Sequence, residues 1–256
     1  MRLSDSHCHL AMVEGADSLL AAARSQGVCA FLVPATRGDD LDGAIAVARR
    51  HPDVWAAVGY HPHEAKDFDD QAEGRIDALA SEEKVIAIGE IGLDYHYDLS
   101  PRDVQRDVLL RQIRLAKKHD LPVIIHNRES SSDLLEILGS EEVRGVRGVI
   151  HSFTESIEVG RKFVELGLFI SFSGIVTFRT AETLREAARQ LPRDRVLIET
   201  DSPFLAPVPF RGKENQPAYV GKVAEQLAQL WEMDVKTVAE TTLHNFETLF
   251  RVTIPA

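Results

Sequence analysis

His7 and His9 flank Cys8 in the run Ser6-His7-Cys8-His9-Leu10, and on an extended segment that spacing turns both imidazoles to one face. Two convergent imidazoles are half of a metal site. Downstream, Glu90, His126, His151 and Asp201 each stand at the end of a short apolar run. Taken singly, each has an ordinary explanation. A histidine after an apolar strand is commonly hydrogen-bonded near the core, and Glu90 and Asp201 would serve as paired acids. Together they point elsewhere, because so many ionisable groups in one dry place are costly unless a cation pairs with them.

The elements that must bring these residues together are legible as alternation. Eight β-branched runs, at residues 2–5, 28–34, 54–60, 85–90, 122–126, 148–151, 168–173 and 195–201, are separated by stretches with apolar residues at helical spacing, such as 16–25, 40–50, 101–119 and 156–166. Strand and helix in alternation mean a parallel sheet. Ser100-Pro101 reads as the cap and first residue of a helix, while Gly27 and Gly167 close helices. Gln216-Pro217 opens a helix to about Trp231, and Val235 to Phe250 adds another. No repeat or long linker interrupts the chain, so residues 1–256 read as one α/β domain, a (β/α)8 barrel with an additional C-terminal helix. Catalytic groups of such barrels stand at the C-terminal ends of the strands, where all six candidates fall.

Bulk properties agree with a soluble enzyme. The 256 residues match the usual size of about 250 for this barrel, and 44% hydrophobic with 27% charged residues is ordinary for a large core. No stretch reaches the roughly 18 apolar residues of a membrane span, and the N-terminus does not resemble a signal peptide, which predicts a cytoplasmic address and no membrane partner. Cys8 and Cys29 form neither a disulfide framework nor a redox motif and read as reduced thiols. A net charge of −11 argues against broad capture of a polyanion, although bound cations would offset it locally.

Four imidazoles and two carboxylates exceed the needs of one tetrahedral ion, whereas two divalent ions sharing a carboxylate would use all six. Glu90 is the natural bridge. One ion then takes His7, His9, Glu90 and Asp201, and the other takes Glu90, His126 and His151, with positions left for water and substrate. Asp201 is placed to accept a proton from the attacking water, which makes Asp201 and Glu90 the catalytic candidates.

These residues lie in blocks that resemble the TatD-type metal-dependent deoxyribonucleases. The blocks are Asp5-Ser6-His7-Cys8-His9, Gly59-Tyr60-His61-Pro62-His63, Ile88-Gly89-Glu90-Ile91-Gly92-Leu93-Asp94-Tyr95, Ile125-His126-Asn127-Arg128, His151-Ser152-Phe153 and Glu199-Thr200-Asp201-Ser202-Pro203. Arg211-Gly212-Lys213-Glu214-Asn215-Gln216-Pro217 and His244-Asn245 follow. The resemblance implies the same metal ligands and a Mg2+-supported hydrolysis of DNA phosphodiesters, single-stranded or at 3′ ends. It implies that His61 and Arg128 face the substrate phosphate, with Arg211 and Lys213 as further contacts, and that Asp94 and Glu199 orient metal-bound imidazoles. His63 either joins the phosphate contacts or hydrogen-bonds within its loop. Glu214 stands where relatives often carry a base, and Gln216 where they carry an acid, which should weaken binding of long DNA.

Imidazole-rich sites suit Zn2+ or Mn2+ better than Mg2+, so the residues and the resemblance point to different metals. Tyr95, Tyr97, Phe153, Phe178 and Phe204 lie near strand ends and read chiefly as core or rim packing, with stacking on unpaired bases as the alternative. Trp55 and Trp231 read as core. A rival function for the same centre is hydrolysis of a small-molecule ester, amide or phosphate, since such barrels host many chemistries.

Overall fold

A computed structural model describes residues 1–255. The strands are β1 (Leu3–Asp5), β2 (Val28–Pro34), β3 (Val54–Val58), β4 (Val85–Asp94), β5 (Val123–Arg128), β6 (Gly148–Ile150), β7 (Phe169–Phe172) and β8 (Val196–Ile198). They lie in sequence order in one sheet, every adjacent pair parallel. The helices are α1 (Ala16–Ser25), α2 (Leu41–Arg50), α3 (Asp70–Leu79), α4 (Arg102–Lys118), α5 (Ser131–Gly139), α6 (Ile157–Glu165), α7 (Glu182–Gln190), α8 (Val220–Trp231) and α9 (Val235–Phe250). This is the expected barrel with its extra C-terminal helix. Among the described residues no helix is long and apolar enough to cross a membrane.

The sheet closes through the last residues of β1 and β8 and the residues just beyond them. Ser6 N donates to Ile198 O (3.1 Å), Asp201 N to His7 O (2.9 Å) and His9 N to Ser202 O (2.8 Å). The Asp5 carboxylate accepts from Thr200 N (2.9 Å) and Thr200 Oγ1 (2.6 Å). The seam of the barrel therefore also fixes the backbone of His7, His9 and Asp201.

Alternate residues of the short strands divide into two apolar layers. Phe31, Val33, Val54 and Val58 face the helices, while Ala30, Leu32, Ala57, Ile124, Val149 and Leu197 face inward. The inward layer continues onto Leu243, Phe246, Leu249 and Phe250 of α9, with the Phe246 ring 6.1 Å from Trp55. Asn245 ties α9 to the start of β8 by donating to Arg193 O and Val196 O, both at 2.8 Å. The C-terminal helix thus plugs the lower end of the barrel, and only the upper rim remains open. Burying Phe246 contributes about 1.5–3 kcal/mol to that plug.

Two glutamines on the buried stripe of α4 end the strand ladders at the rim. Gln112 accepts from Tyr60 N (2.8 Å) and donates to Tyr60 O (3.0 Å), and Gln105 accepts from Asp94 N (2.8 Å) and donates to Asp94 O (3.2 Å). Each amide replaces a missing strand neighbour. Gly27 and Gly167 follow α1 and α6 with φ of 90° and 89°, as expected of helix-closing residues. The Ser100-Pro101 expectation shifts by one residue: α4 begins at Arg102, with Pro101 O accepting from Gln105 N. Ser100 is otherwise engaged, because its hydroxyl accepts from Lys66 N and donates to His63 O, holding the 3-10 turn Pro62–Asp67.

Candidate metal centre

Each of the six metal-ligand candidates reaches the same rim. His7 and His9 follow β1, His151 follows β6 and Asp201 follows β8, while Glu90 and His126 lie within β4 and β5. Glu90 sits on a bulge: Ile88 pairs with Val123 but Ile91 pairs with Ile125, so β4 carries one residue more than β5 over that interval. Such a bulge re-aims a side chain. Gly92, at φ 148°, permits the close approach on which it depends, since a Cβ there would fall 2.0 Å from His126 O.

The two carboxylate oxygens of Glu90 face two different sets of donors. Oε2 lies 3.3 Å from His7 Nε2 and 3.8 Å from His9 Nε2, and Asp201 Oδ1 lies 3.8 and 3.4 Å from the same two nitrogens. Oε1 lies 2.8 Å from His151 Nε2, 3.0 Å from His126 Nδ1 and 3.3 Å from His61 Nε2. Three overlapping groups have ligand atoms close enough for a cation: His7, His9, Asp201; His7, Glu90, His151; and His61, Glu90, His126. His61 was expected beside the substrate phosphate, and it stands against Glu90 as well.

Neighbouring hydrogen bonds set which ring nitrogens keep a lone pair. His126 Nε2–H donates to Asp94 Oδ2 (3.0 Å), leaving Nδ1 bare toward Glu90. His151 Nδ1–H donates to Glu199 Oε1 (3.3 Å), leaving Nε2 bare. His126 Nδ1 and His151 Nε2 are 3.4 Å apart, and His7 Nε2 and His9 Nε2 are 3.1 Å apart. Paired lone pairs at such distances repel unless a proton or a cation lies between them. The Nδ1 atoms of His7 and His9 are buried without a partner. This donor set fits divalent cations, with two nitrogens for each oxygen of Glu90. His61 differs, because its Nδ1 accepts from His63 N (3.1 Å), which puts the ring proton on Nε2. It is a donor rather than a ligand.

Without cations, protons take their place. Burial disfavours a charged His151, but Glu90 and Glu199 outweigh it and hold its pKa well above the ordinary value. For His126 burial is likewise outweighed, by Asp94 and Glu90, and for His9 by Asp201 and Glu90. Burial prevails at His61, pushed down to about 4, and at His7, lowered further by the charge on His151. Burial would raise Glu90 and Asp201; the surrounding imidazoles hold both low instead.

Above the centre opens a cavity of about 390 Å³ whose lining includes His61, His63, Arg128 and Asp201. His63 is bound within its surroundings, Nε2 donating to Asp94 Oδ2 (2.9 Å). Arg211 and Lys213, expected as substrate contacts, are not among the residues lining the cavity. The Arg211 guanidinium rests 4.4 Å from the Phe178 ring centroid, and Lys213 is exposed. The loop is anchored by Asn215, which donates to Thr200 O (2.8 Å) and Phe204 O (2.5 Å). Asn215, Gln105 and Gln112 are positioning residues that sequence reasoning missed; the signal for the glutamines was a polar residue on the apolar stripe of α4.

Residues 4–251 match the family model described as "TatD related DNase". The chain is 41% identical, over 98% of its length and 99% of the relative's, to the Bacillus subtilis uncharacterized metal-dependent hydrolase YabD. It is 43% identical to Escherichia coli YcfH, of the same description, covering 98% and 97%. The crystal structure of the Escherichia coli TatD homologue YjjV superposes with a TM-score of 0.93 at 31% identity, covering 98% and 99%. These likenesses run through every strand that carries a candidate ligand, and the chain belongs to the TatD family of metal-dependent hydrolases.

Proposed function

We propose that the centre hydrolyses DNA phosphodiesters as a 3′–5′ exonuclease, with two divalent ions. The observation that carries this reading is the division of Glu90, with one oxygen toward His7, His9 and Asp201 and the other toward His126 and His151. The family description as a DNase supports the choice of bond. Divalent cations held there lower the pKa of water and offset charge on a phosphoryl oxygen. Mg2+ is the cation for turnover, and Mn2+ or Zn2+ is held more tightly by the imidazoles.

The remaining work falls to this chain. Asp201, held low in pKa, is ionised at neutral pH and accepts the proton of the attacking water through its carboxylate. Arg128 presents its guanidinium fork to the non-bridging phosphate oxygens, and His61, which lines the same cavity with its Nε2–H toward Glu90 Oε1, stands beside the phosphate. Arg211 and Lys213 contribute positive charge outside the cavity, along the strand. Cys8 and Cys29, both free, suit a cytoplasmic enzyme. The net charge of −11 and the modest cavity favour a second reading, a small-molecule ester, amide or phosphate as substrate.

The test is hydrolysis of labelled single-stranded and duplex DNA beside a panel of small esters and phosphates, each with Mg2+, Mn2+ or EDTA. Stepwise 3′ shortening that EDTA abolishes and Asp201→Asn removes is expected. Turnover of the esters alone would establish the second reading, and DNA cleavage that survives EDTA would contradict both.

A further inference from the structure

Seven large apolar side chains are exposed among the described residues, and four of them, Met12, Tyr97, Phe204 and Leu205, line the single cavity above the metal centre. Scattered exposed apolar residues carry no meaning, but a collection around one polar floor marks a binding surface. Of the five aromatic residues near strand ends, Phe153 is buried, Tyr95 and Phe178 are partly buried, and Tyr97 and Phe204 are 57% and 54% exposed.

The main chain of both exposed residues is fixed by hydrogen bonds. Phe204 N donates to Asp201 O (2.9 Å), and its carbonyl accepts from Asn215, itself 2% exposed. The ring meets His9 at 5.9 Å in a T-shaped contact, so it stands beside the first donor set without being stacked against it. Tyr97 N donates to Asp94 Oδ1 (2.8 Å), and its ring lies 5.5 Å from His63 and 5.7 Å from the Arg128 guanidinium. Asp94 thus holds His126 with one oxygen and the Tyr97 backbone with the other.

We propose that Phe204 is a stacking platform for an unpaired nucleobase adjoining the phosphodiester at the metal centre, with Tyr97, backed by Arg128, receiving a base on the side of the second donor set. The proposal rests on the nuclease reading and deepens it, because these two residues set substrate form. A base inside a duplex has both faces occupied, whereas a frayed or single-stranded end offers them to protein rings. The surface carries no charge of its own at Phe204, so its contribution is independent of the phosphate contacts that salt screens.

The experiment compares single-stranded oligonucleotides that carry either normal bases or abasic tetrahydrofuran units at the last two 3′ positions, with wild type, Phe204→Ala, Phe204→Trp and Tyr97→Ala. Phe204→Ala should lower kcat/KM on the normal strand roughly 5- to 150-fold, chiefly through KM, with little loss on the abasic strand and recovery in Phe204→Trp. Equal losses on both strands, or none, overturn the platform while leaving nuclease activity standing. A second readout does not need turnover: a tetranucleotide with 3′-terminal 2-aminopurine, bound to Asp201→Asn in Mg2+, should lose fluorescence by stacking and regain it when Phe204→Ala is added. Quenching without any cleavage by wild type would refute the nuclease reading and keep the platform. Unquenched binding would refute the platform itself.

Discussion

Replacing Asp94 by asparagine isolates the link between hydrogen bonding and metal affinity. The carboxylate is fully buried and serves four donors: Oδ2 accepts from His126 Nε2 (3.0 Å) and His63 Nε2 (2.9 Å), and Oδ1 accepts from Tyr97 N (2.8 Å) and His96 N (3.0 Å). Asparagine keeps one acceptor oxygen. The backbone amides cannot move, so its oxygen faces them and its NH2 faces the two imidazoles. A buried N–H without an acceptor costs about 1–3 kcal/mol. His63 is partly exposed and can turn to water, and His126 can recover a partner by moving its proton to Nδ1, toward Glu90. The net stability loss is therefore about 1–3 kcal/mol, or roughly 2–4 °C in Tm for each kcal/mol. The greater effect is chemical. A proton on His126 Nδ1 removes the lone pair that a cation beside Glu90 Oε1 would use, and affinity there should fall about 10- to 100-fold, as when a ligand's outer partner is lost. Burial alone would raise the Asp94 pKa, but the bonds from His126, His63 and Tyr97 N depress it, so its stabilisation is present above about pH 4 and lost as pH falls further. The stability advantage of wild type over the variant should shrink in acid accordingly. Calorimetric titration with Mn2+ reads the affinities of both sites. Wild-type affinity at both in Asp94→Asn would refute the tautomer argument.

Proton competition gives a second expectation. His9, His126 and His151 titrate above their ordinary value in the cation-free protein, so a cation must displace protons from them. Mn2+ affinity should rise with pH above the ordinary histidine value of about 6.5, with measurable proton release, and a flat profile would contradict the assignment. Asn215→Ala strips Thr200 O and Phe204 O of their donor and should cost about 1–3 kcal/mol, chiefly for the buried Thr200 carbonyl, read from the urea midpoint, with loss of turnover as the Asp201 loop loosens.

The rim was legible because barrel strands are short and apolar, so a histidine or acid at the end of each run stands out against what precedes it. His7, His9, His151 and Asp201 fall just beyond their strands for that reason. Glu90 was legible as a type but not as a geometry. The bulge that aims it depends on pairing between β4 and β5, which no local pattern records. His61 carries the same chemistry in sequence as the ligands, and only the bond from His63 N sets its proton on the side facing Glu90. Arg211 and Lys213 were placed by the company they keep in the motif, and that pattern did not reveal their neighbour Asn215 as the buried anchor of the loop or the Phe178 ring under Arg211. Exposure of Tyr97 and Phe204 was equally hidden, since an aromatic residue near a strand end packs inward as readily as it faces a ligand.

Glu90 is proposed to join two cation sites on the open rim. Anomalous scattering from crystals of the protein equilibrated with Mn2+ tests it most directly. Two peaks per chain are predicted, one among His7, His9, Asp201 and Glu90 Oε2, the other among His126 Nδ1, His151 Nε2 and Glu90 Oε1. A single peak, or a pair of peaks that leaves Glu90 unligated, would contradict the account.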